Sequence, residues 1–128
     1  MAEQKNIMLV DDDPDFVEAV KAVLEAANYK VSVAYDGEEC LAKLASETPD
    51  LIILDVMMPG KDGYEVCEKL KNADRTMEIP VILLTGVASR VSTSKYTHQM
   101  GMMTSADDYI PKPVQPNELL TRVRAQLG

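Results

Sequence analysis

Short runs of branched apolar residues recur along the chain, and four of them stop at a polar residue of the kind that binds metal or phosphate. The runs and the polar residues that end them are 7–10 with Asp11 and Asp12, 51–54 with Asp55, 81–84 with Thr85, and 109–111 with Lys112. Such runs are typical of strands buried on both faces of a parallel sheet, which binds its ligands beyond the carboxyl ends of its strands. If these strands are neighbours, three carboxylates, a hydroxyl and an ammonium lie together.

Segments with apolar residues spaced three to four positions apart separate these runs and predict amphipathic helices. The five predicted helices begin near Pro14, Gly37, Tyr64, Ser89 and Pro116. A further strand over 31–34 ends at no phosphate-binding residue, which indicates an edge position. Because crossovers between parallel strands are right-handed, the alternation predicts an α/β fold with a doubly wound, flavodoxin-like five-stranded parallel sheet in the order 2-1-3-4-5.

The segment 89–103 is the weakest of the helical patterns, because Ser, Thr and Gly interrupt its apolar spacing. We therefore expect the fourth helix to be extended or irregular. Three methionines in this region could form an adaptable partner surface, although irregular core packing is the slightly favoured alternative. They are Met100, Met102 and Met103. The single histidine, His98, has no partner histidine and is expected at the surface.

Composition narrows the class of protein. The chain has 128 residues, 46% of them apolar, which suits one domain with one core. Its formal net charge of −8 argues against direct binding to nucleic acid or to an anionic membrane, because both require a basic surface. No apolar run approaches the roughly 20 residues that span a bilayer, and no signal peptide is evident, so we expect a soluble cytoplasmic protein without membrane insertion. Cys40 and Cys67 lack zinc-ligand spacing and are expected to be buried free thiols.

Three carboxylates brought together repel one another unless a cation compensates for their charge. Mg²⁺ prefers such oxygen ligands, with Mn²⁺ as the alternative ion. We expect Asp12 and Asp55 to bind the ion directly and Asp11 to bind it through water. Asp55 ends the middle strand and is the candidate nucleophile for an acyl phosphate. The Thr85 hydroxyl and the Lys112 ammonium could stabilise the transferred phosphoryl charge.

Each of these residues, taken alone, also has an ordinary structural interpretation. Asp11 and Asp12 could form a turn and a helix cap, and Asp55 could be a loop carboxylate. Thr85 could make a strand-end hydrogen bond, and Lys112 could be a solvated lysine. The coincidence of four such residues at strand ends favours a shared site.

Four motifs then connect the chain to a known family. They are Leu9-Val10-Asp11-Asp12-Asp13-Pro14, Leu54-Asp55-Val56-Met57-Met58-Pro59-Gly60-Lys61-Asp62-Gly63, Leu84-Thr85-Gly86 and Asp108-Tyr109-Ile110-Pro111-Lys112-Pro113. With them, the chain resembles the receiver domain of two-component response regulators over essentially its whole length, in the manner of a single-domain chemotaxis regulator.

The resemblance implies a role for each motif. Asp55 would accept a phosphoryl group from a histidine kinase or a histidine phosphotransfer protein. Mg²⁺ would be held by Asp12, Asp55 and the Met57 backbone carbonyl, with Asp11 acting through water. Thr85 and Tyr109 would relay the modification, and the Lys112–Pro113 peptide would be cis.

Phosphorylation would change the face formed by the fourth helix, the fifth strand and the last helix, as Thr85 moves toward the phosphoryl group and Tyr109 turns inward. A plain core aromatic is the equally weighted alternative for Tyr109. The chain departs from the family at Thr104-Ser105-Ala106, in a stretch longer than usual. Apolar Met57 and Val87 also replace polar residues that can orient the hydrolytic water, which predicts a long-lived acyl phosphate.

Three functions compete. The favoured one is a phosphorylation-dependent switch that is not an enzyme and acts on an unknown downstream protein as a monomer or weak dimer. The second is a receiver-like docking module that is independent of phosphorylation. The third is an aspartate-nucleophile phosphatase, which would need a second acid two residues after Asp55, where Met57 stands. We expect residues 1–128 to form one receiver domain without an output domain, although the chain could also be a fragment of a longer regulator.

Overall fold

The computed structural model describes residues 4–56, 63–85 and 106–127, and these residues form five strands and four helices. The strands are β1 (Asn6–Val10), β2 (Lys30–Ala34), β3 (Leu51–Asp55), β4 (Val81–Thr85) and β5 (Asp108–Pro111). The helices are α1 (Pro14–Ala26), α2 (Gly37–Leu44), α3 (Gly63–Lys71) and α4 (Pro116–Leu127). The helix predicted over 89–103 lies outside the described residues, so α4 here is the last helix of the chain. Met57, Val87, His98 and the three methionines of the 100–103 stretch lie outside them as well.

All five strands run parallel in one sheet in the order β2-β1-β3-β4-β5, which confirms the predicted topology. The register aligns the carboxyl ends of the central strands. Val10 pairs with Leu54, and Asp55 pairs with Leu84. Each residue that follows a strand therefore emerges at the same edge of the sheet, which is where the predicted site residues stand.

The sheet is covered on both faces, as a doubly wound fold requires. Alternate side chains of β1, β3 and β4 pack with α2 and α3 on one face and with α1 and α4 on the other. β3 is buried along its whole length. In β2 the first residue is exposed, the next three are partly buried and only Ala34 is buried, as expected of an edge strand. Burial on both faces explains why the central strands are continuous apolar runs rather than alternating ones.

Local sequence signals set the helix ends near the site. Asp13 is the N-cap of α1, where its carboxylate accepts hydrogen bonds from the backbone N–H groups of Asp15 and Phe16 at 3.0 and 3.4 Å. Pro14 follows, a position where proline's missing N–H costs nothing. After α1, Asn28 adopts a φ of 75°, a left-handed conformation that asparagine tolerates better than most residues.

Two further predictions concern the described residues. None of their helices combines the length and the apolar character needed to cross a membrane. Cys40 and Cys67 are free and buried, as predicted. Burial raises the pKa of the Cys40 thiol to about 12 and that of the Cys67 thiol to about 11, so both remain protonated thiols near neutral pH.

Candidate functional site

Three carboxylates meet at the carboxyl edge of the sheet. Asp11 follows β1 and is fully buried, and Asp55 ends β3 and is 2% exposed. Asp12 is exposed to solvent. One oxygen from each of the three carboxylates lies within 4.8 Å of the others. The parallel register produces this cluster from residues that are 43 or 44 positions apart in the chain.

Both oxygens of the Asp11 carboxylate are already engaged. Oδ1 accepts a hydrogen bond from the Asp13 N–H at 3.0 Å, and Oδ2 accepts one from the Lys112 ammonium at 2.9 Å. Neither Asp11 nor Asp12 is the helix cap, because Asp13 caps α1. The carboxylates of Asp11 and Asp12 belong to the cluster instead.

Lys112 follows β5 and brings a positive charge into the cluster. Its Nζ lies 2.9 Å from Asp11 Oδ2 and 3.5 Å from Asp55 Oδ1. The same Nζ lies 4.3 Å from the centroid of the Phe16 ring, within the range of a cation–π contact. The side chain is 26% exposed, so Lys112 is a paired lysine rather than a solvated one.

The electrostatic balance at Lys112 can be read from these contacts. Burial by itself would lower the pKa of the Lys112 ammonium, but the hydrogen bond to Asp11 and the charges of Asp55 and Asp11 outweigh it and raise the pKa above the ordinary lysine value. The ammonium therefore stays charged. Three carboxylates still face this one ammonium, so the described part of the site carries an excess of negative charge that a cation could neutralise.

Thr85 and Tyr109 lie on the neighbouring strands β4 and β5. Thr85 is the last residue of β4, and its carbonyl accepts a hydrogen bond from the Lys112 N–H at 2.8 Å. Tyr109 lies in β5, is partly buried, and packs against the core cluster on the α2 and α3 face. The Lys112–Pro113 peptide bond is cis, the isomer that the family resemblance implies.

The start of α3 packs tightly on the backbone at Asp55. The Gly63 N–H donates a hydrogen bond to the Val56 carbonyl at 3.0 Å. A Cβ added to Gly63 would lie 2.6 Å from Val56 Cα and still closer to the Asp55 carbonyl oxygen. Only glycine permits this approach, so Gly63 helps to fix the position of Asp55 through the backbone.

The donor set suits a hard divalent cation. The clustered ligands in the described residues are carboxylate oxygens, and one of the three carboxylates is open to solvent. Mg²⁺ and Mn²⁺ favour such oxygen donors and commonly retain water ligands. Met57, whose backbone carbonyl the resemblance adds to this set, lies outside the described residues.

Three residues near the site were not singled out by the sequence pattern. The apolar spacing gives Phe16 no role beyond the apolar face of the first helix, and Asp13 and Gly63 appear only as members of the family motifs. An N-cap residue directly before a proline is a signal that could have identified Asp13. The contacts of Phe16 and Gly63 depend on how α1 and α3 pack against the strand ends, which no local spacing reports.

Comparison with known proteins agrees with this geometry. The family model of the response regulator receiver domain matches residues 7–124. The alkaline phosphatase synthesis transcriptional regulatory protein PhoP of Bacillus subtilis is 40% identical over 123 residues, which are 96% of this chain and 48% of that protein. The chain spans about half the length, or less, of the curated relatives that it matches.

Solved structures show the same fold. The signal receiver domain of a signal transduction histidine kinase from Syntrophus aciditrophicus matches with a TM-score of 0.88 and 35% identity, covering 96% of this chain and 89% of that one. The chemotaxis response regulator CheY4 of Vibrio cholerae matches with a TM-score of 0.85 and 30% identity, covering 98% of this chain and 100% of that one.

Proposed function

Because the chain belongs to the response regulator receiver domain family, we propose that it is a phosphorylation-dependent signalling switch in which Asp55 accepts a phosphoryl group. The observation that carries the proposal is the environment of Asp55. This carboxylate is nearly buried at the end of the middle strand, with the Lys112 ammonium 3.5 Å away and two further carboxylates beside it. A single ion pair would account for a buried aspartate, but not for two further carboxylates beside it.

The donor in this proposal is a phosphohistidine of a histidine kinase or of a histidine phosphotransfer protein. An Asp55 carboxylate oxygen forms a bond to phosphorus while the phosphorus–nitrogen bond breaks, and the departing imidazole keeps the electron pair and takes up a proton from solvent. The product is an acyl phosphate. The Lys112 ammonium lies 3.5 Å from Asp55, and Thr85 ends β4, the strand beside β3. In this proposal the ammonium and the Thr85 hydroxyl both stabilise negative charge on the transferred group.

Asp12 and Asp55 are the residues that would hold a divalent cation directly, with the Met57 carbonyl as a further ligand. Asp11 would contact the cation through water, which fits the engagement of both its oxygens by Asp13 and Lys112. A bound Mg²⁺ would supply charge neutralisation, which lets an anionic nucleophile approach an anionic phosphoryl group.

The switch follows from the charge that arrives. A phosphoryl group adds between about 1.5 and 2 negative charges and three acceptor oxygens at Asp55. Thr85 would turn its hydroxyl toward these oxygens, and Tyr109 would turn inward into the space that Thr85 vacates. The face made by the predicted fourth helix, β5 and α4 would then change its population of conformers and its affinity for a downstream protein.

Incubation with Mg²⁺ and acetyl phosphate, followed by intact-protein mass spectrometry, tests the proposal. We expect one added phosphoryl group on the wild type and none on Asp55→Asn. Asp15→Asn is the matched control, because Asp15 lies close to Asp11 and Asp12 in the sequence but outside the carboxylate cluster. This variant should be phosphorylated normally.

The same experiment separates the competing functions. Absence of the adduct on a folded wild-type protein would favour a docking module that is independent of phosphorylation. Continuous release of phosphate from unrelated phosphate esters would favour an aspartate-nucleophile phosphatase. A stable stoichiometric adduct, with changed affinity for a partner captured in both states, supports the switch.

A further inference from the structure

The aromatic ring of Phe16 contacts the ammonium of the site. Lys112 Nζ lies 4.3 Å from the ring centroid, and the same atom lies 2.9 Å from Asp11 and 3.5 Å from Asp55. The ammonium is thus held between two carboxylates and one π face. The face of an aromatic ring carries partial negative charge and attracts a cation that is partly withdrawn from water.

The position of the ring is fixed by the start of α1. Phe16 is the third residue of this helix, and its N–H is one of the two bound by the Asp13 N-cap. The ring is partly buried against the core cluster on the α1 and α4 face. Because α1 follows directly after Asp11 and Asp12, the same short segment supplies both the carboxylates and the ring that surround the ammonium.

The ring also borders open space. Phe16 and Lys112 both line a cavity of about 530 Å³ between α1 and α4, together with Val20, Val23 and Leu119. An aliphatic side chain at position 16 would leave the Lys112 side chain facing this cavity without an attractive surface. The ammonium would then gain rotamers and water contacts that lead it away from Asp55.

We propose that Phe16 is a positioning residue for the phosphoryl-accepting reaction, because its ring holds the Lys112 ammonium against Asp11 and Asp55. The inference rests on the proposed function of Asp55. It adds a specific requirement, namely that residue 16 be aromatic and not merely apolar. A residue that only packed in the core would tolerate an aliphatic side chain of similar size.

The test compares Phe16→Leu and Phe16→Met with Phe16→Tyr, in the intact chain. With acetyl phosphate and Mg²⁺, we expect both aliphatic variants to be phosphorylated about three- to tenfold more slowly, the range that loss of a cation–π contact implies. Phe16→Tyr should restore the wild-type rate. Val23→Ala is the packing control, because Val23 lines the same cavity two turns further along α1, and its rate should not change.

A spectroscopic readout separates positioning from stability. In NMR spectra of lysine-labelled protein without Mg²⁺, the methylene protons next to the Lys112 ammonium should resonate upfield because of the Phe16 ring current. The signal is assigned by its loss in Lys112→Arg. The upfield shift should persist in Phe16→Tyr and Val23→Ala and disappear in the two aliphatic variants, all of which are first checked for folding by circular dichroism.

The inference is overturned if folded Phe16→Leu or Phe16→Met takes up phosphate at the wild-type rate, or if the wild type shows no upfield shift. It is also overturned if Phe16→Tyr is as slow as the aliphatic variants. Failure of the proposed function looks different, because the wild type itself would then remain unphosphorylated while the ring-current shift still reported the contact.

Discussion

Replacement of Asp12 by asparagine should stabilise the protein when divalent cations are absent. Asp12 is the exposed member of a cluster whose other two carboxylates are paired with Lys112. Its negative charge is therefore the one that the described contacts compensate least. Asparagine keeps the size of the side chain and removes the charge, so the repulsion from Asp11 and Asp55 is lost and little packing changes.

The magnitude follows from the spacing of the cluster. Two unit charges 4.8 Å apart repel by about 3.5 kcal/mol at an effective dielectric constant near 20 and by about 0.9 kcal/mol in bulk water. Asp12 faces solvent, so the screened value applies to each of its two neighbours. Attraction to the nearby Lys112 ammonium offsets part of the sum. We expect a net gain of about 1 kcal/mol in the free energy of unfolding.

Urea unfolding at pH 7.5, in EDTA and in excess Mg²⁺, measures this effect. At a free Mg²⁺ concentration ten times its dissociation constant, the wild type should gain about 1.4 kcal/mol from binding. Asp12→Asn should gain much less, because it lacks a carboxylate that holds the ion. The stability advantage of Asp12→Asn over the wild type in EDTA should therefore shrink or change sign in excess Mg²⁺.

Asp15→Asn controls for net charge. Asp15 lies in the first turn of α1, where a negative charge is favourable, so its loss should lower stability by about 0.3–1 kcal/mol and leave the gain from Mg²⁺ intact. The reasoning is refuted if Asp12→Asn is no more stable than the wild type in EDTA, or if it responds to Mg²⁺ as the wild type does.

Three further predictions concern the rest of the site and the core. Lys112→Met leaves two buried carboxylates without their cation, so urea unfolding in EDTA should show a loss of about 2–4 kcal/mol that Mg²⁺ partly restores; an equal loss in both conditions would contradict the pairing with Asp11 and Asp55. Gly63→Ala forces the α3 start away from the Asp55 backbone and should cost about 1–3 kcal/mol and slow phosphorylation, whereas a variant that unfolds and reacts like the wild type would show that the contact relaxes freely. Burial raises the pKa of the Cys40 thiol from 9.0 to about 12, so the folded state keeps a proton that the unfolded chain releases, and stability should fall as pH rises from about 9 toward 12. In Cys40→Ala this fall should be shallower by up to about 1.4 kcal/mol per pH unit, and an unchanged slope in urea unfolding would argue against it.

The sequence pattern predicted the sheet and the identity of its strand-end residues because both follow from burial. A parallel strand covered on both faces must be apolar along its length, so its end is visible where a polar residue interrupts the run. Strand order was predictable for a related reason, since only the second strand lacked a polar residue of this kind and could be assigned to the edge. The confirmed order then places Asp11, Asp55 and Lys112 at the same edge of the sheet.

The division of roles among the acidic residues was not predictable in the same way. Asp11, Asp12 and Asp13 are chemically identical neighbours, and the sequence alone allowed either of the first two to cap α1. The backbone path out of β1 decides the matter, because it buries Asp11, exposes Asp12 and turns Asp13 toward the N–H groups of the helix.

The fold, its sheet order and the set of polar residues at one edge could be inferred from the amino-acid sequence, because each buried strand is recognisable as a local apolar run. Which of those residues touch depends on how the elements pack. The Lys112 ammonium is bonded to Asp11, 101 positions away, and lies nearer to it than to Asp55. The Phe16 ring and the Gly63 backbone complete the site through the packing of α1 and α3 against the strand ends. Such contacts depend on distances across the folded sheet, and these are fixed only when the whole core closes.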